Sequence, residues 1–344
     1  MRAVVVTRHG PPEVLAVQSR PDPVPGPGQV RIAVEAAGLN FADVLGRAGL
    51  YPDAPPTPCV LGYEVAGGVD AVGPGADAFK IGDRVVAHTH FGGQAELAVA
   101  AASDTIPAPA DMSAAEAAAI PVNYGTAYAG LVLMAGTKPG ERVLIHAAAG
   151  GVGTACVQLA RHLGAEVIGT CSAAKHEPVR RLGATHVIDY HTQDVAAEVM
   201  RITGGEGVDV IMDALGPRSF RVDWRLLRAG GRLIAYGASQ VQKGDRRDMV
   251  AALRTVAAFP FSTMPWWKGP AMMYENRGVF GLNLKHWSDR EGNLARIVTP
   301  LRELLQSGVI RPVVDSTFPF DRAADAHRRL MTRGNVGKVL LTPN

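Results

Sequence analysis

The stretch "HAAAGGVGTAC" carries Gly150, Gly151 and Gly153 between a short apolar run, "ERVLIH" (141–146), and a segment of helical composition, "VGTACVQLARHLG". A glycine turn between a strand and a helix aims the unpaired N–H groups of the first helical turn at an anion. The spacing is that of a GxGxxG loop without its first glycine, because Ala148 stands in that place. In such a loop Gly150 lets the backbone approach a pyrophosphate and Gly153 lets the helix pack closely on the strand. Spacing alone also fits a plain structural turn; the strand–turn–helix context points to a dinucleotide.

The second group is "TCSAAKHE" (170–177), beyond the next apolar run, "EVIGT". About 20 residues past the loop, an NAD site places a carboxylate that accepts a hydrogen bond from the ribose 2′-OH. This chain offers Cys171, Ser172 and Lys175 instead, with Arg180 and Arg181 further on and Tyr190 closing the following strand. A 2′-phosphate is repelled by a carboxylate and favoured by cations and hydroxyls, so the reading is NADPH and a reductive reaction. The plainer reading of Lys175 is a solvated residue at a helix start, although a lysine there works against the helix dipole.

Metal chemistry has little support. Cys59, Cys156 and Cys171 are far apart, form no CxxC pair and have no histidine at ligand spacing. His88 and His90 make an HxH pair with no third soft ligand beside them and read as surface side chains. The expectation is no metal, and the cysteine usage fits a reducing cytosol.

These residues need elements to hold them. The first 120 residues, with runs such as "RAVVVT", "VRIAVEAAG" and "DRVVAHT" broken by Gly and Pro, read as short strands of a barrel-like β domain. "DMSAAEAAAI" reads as a helix capped by Ser113, with Glu116 completing a capping box. From 141 onward strands alternate with helical segments, around 194–203 and 217–228 among others, which means a doubly wound parallel sheet. The tail, from "IRPVVDSTFPF" to "GKVLLTPN", returns to β character and is expected to rejoin the first domain. The expected division is 1–121, 122–294 and 295–344.

At 344 residues two domains are the default, and a net charge of +3, from 35 basic and 32 acidic residues, argues against nucleic acid as the main partner. The N-terminus has only a four-residue apolar run, so no signal peptide is expected. Arg254, Pro260 and Pro265 interrupt the apolar segment 249–267, which argues against a transmembrane helix. The Met- and aromatic-rich stretch 259–274 suits a flat apolar acceptor or a dimer surface equally.

The motifs "GLNFADV", "PCVLGYEVAG", "IGDRVV", "NYGTAY", "HAAAGGVG", "DALG" and "NVGKVLL" together resemble the zinc-less quinone oxidoreductases of the medium-chain dehydrogenase/reductase superfamily. "SAAKHE", "VIDYHT" and the ending are most similar to the branch of synaptic-vesicle amine transport protein homologues. The resemblance implies a GroES-like β domain joined to a Rossmann domain, with the active site in the cleft between them. It matches Asn40, Tyr63 and a position near Val122 to the catalytic zinc ligands of the alcohol dehydrogenases, so zinc would be absent here. It further implies cofactor contacts at Asn40, Thr126, Gly150, Gly151, Val152, Gly153, Ser172, Lys175, Tyr190, Leu215, Gly237, Ser239, Phe280, Gly281, Leu282, Asn335 and Lys338.

Without metal, the acceptor must be an electrophile that needs little activation. A quinone asks only for orientation and a hydrogen-bond donor such as the Asn40 amide. An enal or enone also requires protonation of an enolate; Tyr51 in "GLYP" is either that acid or a pocket-lining residue, and Tyr63 is an alternative hydroxyl. Asp43 reads as a brace of its turn. The functional expectation is a cytoplasmic, homodimeric, NADPH-dependent quinone reductase. The alternatives are an enal, enone or enoyl reductase, and an NADPH-binding protein associated with membranes or partners through residues 243–270.

Overall fold

The structure is a computed structural model that describes residues 1–239, 269–288 and 295–343. The segment 249–267 and most of 243–270 and of 259–274 lie outside the described residues. Among the described residues no helix is long and apolar enough to cross a membrane. The chain forms two compact units. The first contains Met1–Val122 and residues 295–343; the second contains residues 123–239 and 269–287.

The N-terminal part of the first unit supplies β1 (Arg2–Val6), β2 (Leu15–Ser19), β3 (Gln29–Leu39), β4 (Cys59–Val60), β5 (Glu64–Val72), β6 (Arg84–His88), β7 (Leu97–Ala101) and β8 (Thr105–Pro107). The second unit contains β9 (Arg142–Ile145), β10 (Glu166–Cys171), β11 (His186–Asp189), β12 (Val208–Asp213), β13 (Leu227–Ala235) and β14 (Gly278–Gly281). The tail adds β15 (Val314–Pro319) and β16 (Lys338–Thr342), separated by a helix at Ala323–Met331.

In the first unit, β15, β16, β3, β5, β6 and β8 form a sheet in that order, with β7 also pairing with β3, while β2, β1 and β4 form a smaller one. Alternation along β3 decides its faces. Val30, Ile32 and Val34 point into a core with Val65, Val69, Val85, Phe320, Val339 and Leu341. Between them Arg31 turns outward to a two-pronged pair with Asp70, at 2.9 and 3.0 Å. The tail closes this sheet because β16 runs antiparallel to β3, with Val339 opposite Leu39.

One element departs from the all-strand reading of the first 120 residues. Helix α1 (Phe41–Ala48) interrupts them and ends at Gly49, which has φ +75. Its start is held by the Asp43 carboxylate, which accepts a hydrogen bond from the Asn40 backbone N–H at 2.7 Å. Helix α2 (Ala114–Ala118) has the expected capping box, with the Ser113 hydroxyl accepting from the Glu116 N–H and the Glu116 carboxylate accepting from the Ser113 N–H. Helix α3 covers Pro121–Tyr128.

Among the described residues, the second unit is a parallel six-stranded sheet in the order β11-β10-β9-β12-β13-β14. Numbered from β9, this is the 3-2-1-4-5-6 order of a dinucleotide-binding Rossmann sheet. Its helices include α4 (Gly151–His162), α5 (His176–Leu182), α6 (Val195–Ile202) and α7 (Phe220–Leu226). Every residue of β12 is buried, as a central parallel strand covered on both faces requires. Leu144, Ile168, Ile188, Ile211 and Leu233, one from each of five strands, meet in one core with Phe220 and Trp224.

Candidate active site

In the second unit the six described strands run parallel, so their C-terminal ends share one edge, and the chain order reverses beside β9. Nearly every cofactor candidate of this unit sits at that edge. Gly150, Gly151, Val152 and Gly153 follow β9, Ser172 and Lys175 follow β10, and Tyr190 follows β11. Leu215 follows β12, Gly237 and Ser239 follow β13, and Phe280, Gly281 and Leu282 lie at the end of β14. Thr126 is the exception, buried on α3 one turn past Asn123.

The glycine loop shows why its glycines are needed. A Cβ on Gly153 would lie 2.2 Å from the Ala147 carbonyl oxygen, so only glycine lets α4 pack this close to the turn. A Cβ on Gly151 would lie 2.7 Å from the Asn123 side-chain oxygen. The left-handed position of the turn falls on Ala147, φ +52, directly before the alanine that replaces the first glycine. Gly150 caps α4 without any side-chain hydrogen bond, which leaves the start of a twelve-residue helix for an anion.

Register brings the second group beside this loop. Cys171 stands opposite Asp189 across the β10–β11 pair, so Ser172 and Tyr190 emerge from neighbouring strand ends. The Ala148 N–H donates to the Thr170 carbonyl at 3.0 Å, tying the loop to the end of β10. Asp189 places an acid at this edge, but its carboxylate is committed to its own turn. It accepts from the His191 N–H at 3.0 Å and from the Thr192 hydroxyl at 3.1 Å. Arg181 pairs with Glu177 at 3.0 Å on the exposed face of α5.

The "DALG" turn after β12 is built by Asp213, which accepts hydrogen bonds from the N–H groups of Leu215 and Gly216 and from the Ser219 hydroxyl. Burial and the adjacent Asp223 charge push its carboxyl up to about 7. Asp223 in turn contacts the buried His146 at 2.9 Å. Burial opposes charging of that imidazole, but the Asp223 charge and hydrogen bond outweigh it and raise its pKa to about 9.

In the first unit, three separate strand ends converge. Asn40 follows β3, Glu64 opens β5 and Lys338 opens β16. The Lys338 ammonium donates to the Asn40 side-chain oxygen at 2.6 Å and to the Glu64 carboxylate. The Asn40 side-chain NH₂ donates to that same Glu64 oxygen at 2.9 Å, and the second Glu64 oxygen accepts the Val122 N–H at 2.7 Å. Thus the Asn40 amide is held at both ends, with one N–H still to offer. Gly38 makes room: a Cβ there would lie 2.4 Å from a Glu64 oxygen. Asn335 is buried nearby in sequence and donates its side-chain NH₂ to the Gly337 carbonyl at 2.8 Å.

Glu64 was not among the residues expected from sequence. The signal was present in "LGYEVAGG": an acid in an otherwise apolar, buried run needs a cationic partner. Asp43 is a brace, accepting the Asn40 and Gly62 N–H groups at 2.7 and 3.0 Å. Its full burial pushes the carboxyl up to about 7 against these bonds. Tyr63 is buried, edge-to-face with Tyr51 at 6.2 Å and near Phe91 at 4.9 Å. Burial first, and then the charge of Asp43, raise its pKa above that of an ordinary phenol, so it stays protonated and is a weak acid.

The surface reading of His88 and His90 does not hold. His88 is 5% exposed and packs its ring against His90, and Asp104 stands beside them, with its carboxylate 2.9 Å from the His90 Nε2.

A GroES-like sheet unit, a Rossmann unit of this strand order and a glycine loop at its switch point define a medium-chain dehydrogenase/reductase. The family comparisons agree. Residues 26–110 match the alcohol dehydrogenase GroES-like domain, and residues 182–341 match the family described as zinc-binding dehydrogenase. The chain is 40% identical over 351 residues to the synaptic vesicle membrane protein VAT-1 homolog of Rattus norvegicus, covering 100% of this chain and 84% of that protein. Escherichia coli quinone oxidoreductase complexed with NADPH superposes with a TM-score of 0.86 at 30% identity, covering 100% of both chains. The CurK enoyl reductase superposes at 0.84 with 29% identity, covering 100% of this chain and 99% of that one. The chain belongs to the medium-chain dehydrogenase/reductase superfamily, and within it to the branch of the VAT-1 homologues.

Proposed function

We propose that the protein is a metal-independent, NADPH-dependent reductase that delivers hydride to quinones or related activated alkenes. The observation that carries this reading is the edge where Ser172, Lys175 and Tyr190 emerge beside the glycine loop, while the acid at that edge, Asp189, is turned into its own hydrogen bonds. That edge suits a 2′-phosphate. The uncapped start of α4 suits a pyrophosphate. The solved quinone oxidoreductase that this chain resembles holds NADPH.

NADPH, when bound, supplies the hydride. The chain's part is to bind, orient and polarise. Gly150 to Gly153 receive the pyrophosphate, and Ser172, Lys175 and Tyr190 receive the 2′-phosphate. Leu215, Gly237, Ser239 and Phe280–Leu282 line the path along the strand ends, and Thr126 on α3 is assigned to the cofactor phosphates. Asn40, fixed by Glu64 and Lys338, keeps one N–H for a developing oxyanion, with Asn335 supporting the segment that carries Lys338. Metal independence is supported by Asn40, Tyr63 and Val122, at the positions of catalytic zinc ligands in the related alcohol dehydrogenases. They offer an amide, a phenol and an aliphatic side chain in place of thiolate and imidazole.

The test is NADPH absorbance with purified protein against quinones, enals and enones, before and after chelator treatment. Turnover that survives chelation is expected; tight NADPH binding without turnover of any acceptor would remove the enzymatic reading. Enal, enone or enoyl reduction is the second reading, favoured by the likeness to CurK enoyl reductase and by the Tyr51–Tyr63 pair. A role in membrane or partner association, with homodimer formation, is raised by the vesicle-protein relatives. It requires that deletion of 243–270 abolish association and leave NADPH affinity intact.

A further inference from the structure

Strand β6 ends at His88, and the chain turns sharply through His90, whose φ of +57 is uncommon for a residue with a side chain. The turn is pinned between the two histidines. Thr89 donates its N–H to the Tyr63 carbonyl at 2.7 Å and its hydroxyl to the Gly62 carbonyl at 3.0 Å. The consequence is that the two imidazoles meet edge to face, with centroids 4.7 Å apart. From the other side comes Asp104, the last residue of a 3-10 turn leading into β8, with one carboxylate oxygen 2.9 Å from the His90 Nε2. Its other oxygen accepts the Ser103 hydroxyl at 3.1 Å, which orients the carboxylate. One donor atom from each of His88, His90 and Asp104 lies within 4.8 Å of the other two.

We propose that His88, His90 and Asp104 form a site for one Zn²⁺ ion per chain, tying the turn after β6 to the turn before β8. Two imidazoles and one carboxylate are a donor set for zinc and its neighbours in the transition series rather than for magnesium or calcium, which take oxygen alone. Four-coordinate zinc with bonds of about 2.1 Å needs its donors about 3.4 Å apart. The His90–Asp104 pair at 2.9 Å needs to open by about half an ångström, and no pair, all lying within 4.8 Å, needs to close by more than about 1.4 Å. The side chains of His90 and Asp104 are 34% and 12% exposed, so the site is open enough for entry and for a water as fourth ligand. Sequence spacing alone hid it, because the third ligand lies fourteen residues beyond His90. The site adds to the proposed reductase and does not depend on it, since no hydride or proton step passes through it.

The experiment titrates chelator-stripped full-length protein with ZnCl₂ by calorimetry and with CoCl₂ by visible absorption. One ion per chain and the d–d bands of four-coordinate cobalt are expected. Two variants are run beside it: His90→Asn, which keeps a residue tolerant of the left-handed turn, and Asp104→Asn. Each is expected to weaken Zn²⁺ binding by at least about tenfold and to remove the zinc-dependent rise in Tm. Circular dichroism confirms that both variants are folded. No saturable binding overturns the proposal and leaves a His–Asp contact that closes the turn without metal. Stoichiometric binding with unchanged affinity in both variants also overturns it, by placing the ion elsewhere.

Discussion

The Lys338 ammonium, on the last strand, lies in direct hydrogen-bonded contact with the Glu64 carboxylate, 274 residues earlier in the chain, and the two side chains are 2% and 0% exposed. A pair this deep is held at a desolvation cost, and its two members depend on each other. Around it, Asn40 and the Val122 N–H complete the carboxylate's coordination, so the pair also fixes the amide proposed to meet the substrate oxygen.

Removing one partner leaves the other buried and uncompensated. Lys338→Met and Glu64→Leu are each expected to lose about 3–5 kcal/mol in urea unfolding. The double variant is expected to lose less than the sum, and a double-mutant cycle measures the coupling. Equal and additive losses would contradict a mutual dependence.

Asp43 titrates in the opposite sense to a surface-paired carboxylate. Burial raises its folded pKa to about 7 from an unfolded value of 3.8, so the folded state holds its proton more tightly. Its contribution is fully present below the unfolded pKa and is lost as pH rises through about 7. Against Asp43→Asn, the wild-type advantage is expected to shrink by about 2–3 kcal/mol between about pH 5 and about pH 8, measured by chemical denaturation. An advantage that grows with pH would show the carboxyl to be held low by the Asn40 and Gly62 N–H groups.

At the nucleotide edge, Lys175→Asp places a carboxylate where the 2′-phosphate is proposed to lie. NADPH affinity relative to NADH is expected to fall by about tenfold or more in fluorescence titrations, equivalent to at least about 1.4 kcal/mol. An unchanged ratio would assign Lys175 to the solvated start of α5.

The two acceptor classes separate at Tyr51. If it supplies the proton to an enolate, Tyr51→Phe is expected to cut alkenal turnover by about a hundredfold or more while sparing quinone turnover. Equal, modest losses on both would make it pocket lining. Tyr63, whose buried hydroxyl stays protonated, is expected to affect KM more than kcat when changed to Phe.

Local chemistry determined much of this protein without any structure. The glycine loop, the strand-helix alternation from 141 onward and the Cys171–Ser172 pair standing where an NAD site places its carboxylate are signals carried by neighbouring residues. Periodicity and turn chemistry read such signals directly. Helix α1 escaped that reading because its short run sits among strands, and its start is held by a carboxylate that also reaches across to Gly62. Only the tertiary structure decided what depends on distant pairs: Lys338 on Glu64, Asp104 beside His90, and Asp43 sealed from water. Burial and charge compensation are properties of the packed chain. They act between residues that the sheet register brings together, and no spacing along the sequence records that register.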